Sequence, residues 1–513
     1  MDERTTSGPR ANVHEQTSTN MADETILLGI DCGTQSAKVV AFDALGNVLA
    51  KGTQLLRAMD RPHHGVVVHP DDDLWDAIAS ASREAMANLI AAHGHGALAN
   101  IKGVGICPIR CNKAFLRADG SLTEPVISWM DDRAYQPYVP IDPSAAFATT
   151  SSGYIAHRFT GEFKDTSANC IDMQWPIDSD TWQWSTDDAV HERFAIPRQM
   201  LLTLQMPGDI IGALTIEAST ATGIPAGVPV VATANDKAVE MLGAGPLGAN
   251  TALVSLGTYI AAMVPGTVNH KAPANFWTNF ASVPHRYVYE SNGVRRGMWT
   301  LTWFLDLLGP EVAERAVALG ISREEYIERE AALVPAGADG LMTVLDWLAP
   351  TDKPFRKGIM LGFDARHTRG HIYRSILEAI ALTMKNHVNA MCTELSLTLD
   401  QIVISGGGSM SPLFMQIFAD IFGIPASRNL PVDPTTGELR GAGASLGAAI
   451  CAASAAGLYP DIETAAMHMT AGREAFSPNL ANTDLYQRFN TLVFQDVRTH
   501  TDSLLERSYP LFH

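Results

Sequence analysis

Two stretches of this chain carry the same hydrophobic rhythm. From Ala226 to Val264 it reads AGVPVVATANDKAVEMLGAGPLGANTALVSLGTYIAAMV. VPVVATA is a short run of small and β-branched apolar residues, the pattern of a buried strand, and it ends at Asn235-Asp236-Lys237. AVEMLGAG then opens a small-residue helical pattern that Gly243 and Gly245 break, and a second apolar run, TALVSL, leads straight into Gly257-Thr258. Near the N-terminus, Ile26 to Ile30 predicts a strand running into Asp31-Cys32-Gly33-Thr34, and AKVVAFDALGNVLAKG predicts a strand, a D-x-x-G-N turn and a returning strand. In open α/β sheets ligands collect at the carboxyl ends of strands. A Gly-Thr turn there exposes backbone N–H groups and a hydroxyl, which suits phosphate. The repetition in both halves predicts a two-lobed, nucleotide-binding α/β protein. Asp236 also admits a plainer role as a helix N-cap.

Further along, GVVVHPDDDLW predicts a strand, a proline turn and an acidic helix start, for which a solvated cap is a sufficient account. In ICPIRCNKAF and ISWMDDRA, the residues Arg110, Asn112, Asp131, Asp132 and Arg133 are either contacts for a polar small molecule or surface loop charges. QIVIS, GGGS and MSPLFMQIFADIFG predict a strand, a tight turn and a helix with Pro412 in its first turn, where a missing N–H costs little. Strand, glycine turn and helix N-terminus together suit an anion or nucleotide, and equally a simple tight connection. IYRSILEAIALTMKNHVNAMC has helical apolar spacing, so Met384, His387 and Met391 read as packing. ELRGAGASLGAAICAASAAGLYP predicts a helix of small residues.

Composition narrows the class. The 513 residues, 46% hydrophobic, are enough for two or three cores. A formal net charge of -18 argues against nucleic acid or an anionic membrane as partner. Six scattered cysteines without a CxxC pair suggest reduced thiols in the cytoplasm and no zinc site. Residues 1–24 are polar and read as a disordered leader, and the small apolar run around Ala442 to Leu458 is too short and too glycine-rich to span a bilayer.

Taken in order, DCGTQSAKVVAFDALGN, GVVVHPDDDLW, ISWMDDRA, HRFTGEFKDTSAN, GVPVVATANDKAVEMLGAG, SLGT and ISGGGSMSPLFMQIFADIFGIP resemble the FGGY carbohydrate kinases. Several distant motifs in register are more specific than any one glycine-rich loop. The resemblance implies an α/β fold of two actin-like (ribonuclease H-like) domains with a nucleotide cleft between them. The division expected is residues 25–264 for a sugar-binding domain, 265–480 for a nucleotide-binding domain and 481–513 for a C-terminal helical segment. It implies ATP and Mg2+ as cofactors and a small sugar or polyol as substrate, a ketopentose such as xylulose or ribulose first among them. Asp236 falls on the catalytic base, Asp31 on the acid near the metal, Thr34 and Lys38 on the first phosphate loop. Gly257 and Thr258 fall on the second phosphate loop, and Gly406, Gly407 and Ser411 on the adenosine side. Arg110, Asp236 and Lys237 are the implied substrate contacts. The oligomeric state stays open, with a homodimer among the options.

Two departures bear on substrate and activity. Arg110 aligns with an arginine that glycerol and autoinducer kinases pair with glutamate, but Cys111 stands where the glutamate would be. Between ISWMDDRA and SSGYIAHRFTGEF only YQPYVPIDPSAAFATT intervenes, where most relatives insert a long helical segment. A weakened homologue that senses sugar or ATP is therefore the alternative to a kinase.

Overall fold

The computed structural model describes residues 25–257, 259–350, 353–432, 437, 439, 441, 443–470 and 472–512. They form two compact units. The first holds the chain up to Gly245, Phe280–His285 and Pro431–Ala471; the second holds Pro246–Asn279, Arg286–Leu430 and the chain from Gly472.

In the first unit, β1 (Ile26–Cys32), β2 (Ser36–Phe42), β3 (Val48–Leu55), β4 (Ile101–Pro108), β5 (Ile210–Ala213) and β6 (Pro229–Val231) lie in the order β5-β6-β4-β1-β2-β3. β1, β2 and β3 are antiparallel neighbours, β1, β4 and β6 run parallel, and β5 is an antiparallel edge. The second unit repeats this plan. Its strands are β7 (Thr251–Leu256), β8 (Tyr259–Gly266), β9 (Phe276–Phe280), β10 (Tyr287–Ser291), β11 (Gln401–Ser405), β12 (Ala426–Asn429) and β13 (Arg473–Phe476), in the order β9-β10-β8-β7-β11-β12-β13. β7 pairs antiparallel with β8 and parallel with β11, β12 continues parallel, and β13 closes antiparallel. The duplication read from the two Gly-Thr hairpins is thus a duplication of whole sheets.

From Ile26 to Ile30 β1 carries no polar side chain because both faces are covered. Ile26, Leu28 and Ile30 pack with Leu74, Ile78 and Leu89 of the helix Asp73–His93, while Leu27 packs with Leu446 and Ile450 of the helix Gly443–Ala455. That second helix lies at backbone contact with the sheet. A Cβ on Gly29 would sit 1.8 Å from the Ser445 carbonyl oxygen, and one on Gly105 would sit 1.9 Å from that of Ala448. The blocks 25–264 and 265–480 are continuous in sequence, whereas the packing units are interleaved, because this late helix closes the face of the first sheet. Beyond Leu480 the chain is helical, with a π-turn at Asn490–Phe494 between Leu480–Phe489 and Gln495–Ser508.

The acidic helix start is not a solvated cap. Asp73, 5% exposed, accepts from the Arg57 backbone and Nε, each at 2.9 Å, and Asp72 accepts from Tyr154 Oη and Arg158. These carboxylates tie the helix to its neighbours.

Candidate active site

Asp236 opens the helix Asp236–Gly243, but Asn235 caps it, its side-chain oxygen accepting from the Ala238 amide at 3.1 Å. The N-cap role considered for Asp236 therefore belongs to its neighbour. Asn235 is fully buried, and its Nδ2 donates to the Ala168 and Phe280 carbonyls at 3.3 Å. Thr233 Oγ1 donates to the Ile106 carbonyl at 2.6 Å, and Thr166 Oγ1 donates to the Thr233 carbonyl. The backbone that presents Asp236 is thus held from β4 and from residues 166–168. Asp236 itself stays 34% exposed at the side chain. Its Oδ1 accepts from the Lys237 amide at 2.9 Å and faces Arg110 Nε at 3.3 Å, while Oδ2 takes no hydrogen bond from the described residues. Lys237 Nζ pairs with Glu240 at 3.2 Å.

Arg110 is positioned by a loop braced at each neighbouring residue. The Ile109 carbonyl accepts from Ser151 Oγ at 2.5 Å, and the Cys111 carbonyl accepts from Gln174 Nε2 at 3.0 Å. Asn112, fully buried, accepts from the Trp129 amide at 2.8 Å and lies 3.2 Å from His69 Nε2. Burial pushes the His69 pKa down to about 4, which leaves the ring neutral, with Nε2 able to accept from the Asn112 amide. Cys111 takes φ +62°, a left-handed backbone that this bracing maintains. Asn112 is therefore a brace, as is Asp131, which accepts from the Val67 amide and Arg133 at 2.8 Å each. Asn235, Gln174 and His69 escaped sequence reasoning. Only the N-D pair before a helical run carried a legible signal, for Asn235.

Asp31, the last residue but one of β1, is the cross-strand partner of Lys38 on β2, with Gly33 and Thr34 in the intervening turn. Burial pushes the Asp31 carboxyl up to about 6; Lys38 opposes this, and Asp236 and Glu240 add to it. Two further acids influencing one half-buried carboxyl form an environment that a cation relieves. Among the described residues no group of three or more metal-ligating side chains occurs. The single Asp31 carboxylate suits Mg2+, which usually takes one or two carboxylates plus substrate phosphates and waters.

In the second unit, Gly257 follows β7 at the hairpin, where a Cβ would meet nothing closer than 3.9 Å; Thr258 lies outside the described residues. Gly406 has φ +84°, and a Cβ there would strike the Leu256 carbonyl at 2.5 Å, so packing alone requires glycine. Around Gly407 nothing lies within 4 Å of an added Cβ, so fold packing supplies no reason for a glycine there. Ser411 caps the helix Pro412–Phe422, its Oγ accepting from the Phe414 amide at 3.0 Å.

The family model for the C-terminal domain of FGGY carbohydrate kinases matches residues 252–456, and the N-terminal one matches 26–142 and 142–243. The chain belongs to the FGGY family of carbohydrate kinases. The break at 142 falls inside the shortened stretch noted in the sequence. An uncharacterized sugar kinase of Escherichia coli (strain K12), YgcE, is 45% identical over 487 residues, 95% of this chain and 96% of that one. The xylulose kinase of the same organism is 24% identical over 77% of this chain and 84% of its own. The structure of xylulose kinase from Rhodospirillum rubrum superposes with a TM-score of 0.75 at 23% identity, covering 94% of this chain and all of that one, and so shares the two-domain actin-like fold. The FGGY chain is a carbohydrate kinase, and kinases of this family use ATP. Among its described residues no helix is long and apolar enough to cross a membrane, and the six cysteines form no disulfide.

Proposed function

We propose that this FGGY kinase transfers the γ-phosphate of Mg-ATP to a hydroxyl of a small sugar or polyol in the cytoplasm, with Asp236 as the general base. The observation that supports this reading is the division of labour within one carboxylate. Oδ1 is held by Arg110 and the Lys237 amide, and Oδ2 is left open on a partly exposed side chain. The substrate hydroxyl gives its proton to Oδ2 as its oxygen bonds to the γ-phosphorus; the bond from that phosphorus to the β–γ bridging oxygen breaks, and ADP leaves with the electron pair. The Arg110 guanidinium, whose Nε faces Oδ1, donates to a substrate hydroxyl and orients the nucleophile. Asp31, directly or through water, holds Mg2+, which neutralises phosphate charge. Thr34, Lys38, Gly257 and Thr258 hold the phosphates, and Gly406, Gly407 and Ser411 border the adenosine, where backbone at Gly407 can approach closely.

Within this class a ketopentose such as xylulose or ribulose is the first substrate to test, on the similarity to a xylulose kinase. The assay is sugar-dependent ADP release across ketoses, aldoses and polyols. Binding of a sugar without ADP release across the whole panel would favour the sensor reading, for which the shortened stretch after Ala134 is the specific argument.

A further inference from the structure

Lys113 follows the Arg110 loop, at the start of the short strand Lys113–Leu116. Ala114 and Leu116 join the core beneath β1 and β4, so alternation sends Lys113 and Phe115 to the other face. There Lys113 is 3% exposed, with Nζ 5.5 Å from the centre of the Trp175 ring. Among the described residues no carboxylate pairs with this ammonium and no oxygen accepts its hydrogens. Burial pulls its pKa down to about 8, and no neighbouring charge of either sign contributes. It therefore remains mostly protonated at neutral pH. A buried charge without a partner is costly, and proteins seldom retain one without use.

Polar atoms of the segment that carries Trp175 also lack partners. Gln174 gives its amide hydrogens to the Cys111 and Ala134 carbonyls at 3.0 and 3.2 Å, which leaves Oε1 without a donor. Trp175 Nε1 has no acceptor and Asn169 Oδ1 no donor, although each of these three residues is at most 1% exposed. The segment carrying them is bonded at one end to Asn235, beside the base, and at the other to Cys111, beside Arg110. Those three atoms are sealed from solvent, so the feature that faces a ligand is the ammonium itself, and a nearly buried cation without a counter-charge matches a ligand bearing one negative charge. A single isolated ammonium balances a monoanion, whereas phosphate dianions usually gather an arginine or several N–H groups.

We propose that Lys113 anchors a carboxylate of the substrate, so that the molecule phosphorylated beside Asp236 is a short-chain sugar acid. This rests on the kinase reading above and narrows its substrate from neutral ketopentoses to acidic sugars.

The test compares matched pairs, D-gluconate with D-glucitol and D-xylonate with xylitol, together with D-xylulose, D-ribulose and D-xylulose 5-phosphate, in wild type, Lys113→Met and Lys113→Arg. ADP release and ligand-induced shifts in Tm are both read. Wild type should favour each acid over its polyol by about 100-fold in kcat/KM, the scale of one buried charge pair. Lys113→Met should bring that ratio near parity, and Lys113→Arg should restore much of it. Equal use of acids and neutral sugars by wild type, tighter binding of the sugar phosphate, or an unchanged ratio in Lys113→Met would each overturn the proposal. If Lys113→Met fails to fold, the wild-type ratio and Lys113→Arg decide. A Lys113-dependent Tm shift with the acids, but no ADP from any compound, would keep the carboxylate anchor and refute the phosphoryl-transfer reading instead.

Discussion

Asp236→Asn separates catalysis from folding, because the local structure does not depend on the charge. Asparagine keeps an acceptor for the Lys237 amide and Arg110, and Asn235 remains the helix cap. What is lost to stability is a partly exposed ion pair, worth ~0–1 kcal/mol. What is lost to catalysis is the proton acceptor. A general base contributes ~10²–10⁴-fold in rate, equivalent to about 2.7–5.4 kcal/mol of transition-state stabilisation. With saturating ATP and sugar, coupled ADP release should fall by that factor, while Tm from calorimetry and the binding of ATP stay close to wild type. Two results would refute the reasoning. Retention of more than about a tenth of wild-type kcat would show that Oδ2 is not the acceptor. A large fall in Tm would show that Asp236 holds the helix start together despite the Asn235 cap.

Arg110→Ala should raise the sugar KM and leave ATP affinity without sugar near wild type; an unchanged KM places Arg110 outside the sugar site. Two glycine variants should behave oppositely. Gly105→Val drives a side chain into the Ala448 backbone and should cost about 1–3 kcal/mol or more, read as a lower Tm. Gly407→Ala meets no atom within 4 Å, so Tm should hold while the KM for ATP rises, and an unchanged KM would detach this turn from nucleotide. Because burial raises the Asp31 pKa to about 6, its ionised form is the costly one in the ligand-free protein. The penalty is absent below the unfolded pKa of about 3.9 and complete above the folded value. Asp31→Asn should therefore raise the ligand-free stability near pH 7 by at most about 3 kcal/mol, with the gain vanishing near pH 4. Equal gains at both pH values in a Tm series would count against it.

The family, the α/β class and the two hairpins were legible because they rest on local signals. Apolar runs such as ILLGI and TALVSL become strands wherever both faces are covered, and glycine turns and Pro412 punctuate them at fixed offsets. The order of motifs named the kinase family. Other features depended on residues far apart in sequence. The helix Gly443–Ala455 is small-residued all round, so its sequence carries no apolar stripe to say which sheet it covers. Only the backbone approach at Gly29 and Gly105 assigns it to the first unit. Likewise Asn112, Gln174, His69 and Lys113 are ordinary polar residues in the sequence, and Asp236 precedes nothing that names Arg110 as its partner. Hydrogen bonds and charge pairs act over a few ångströms in space, whatever the separation along the chain. Local pattern therefore determined the elements and their order, while tertiary packing decided which polar groups are braces, which carboxylate oxygen is open, and which lysine is left buried without a counter-charge.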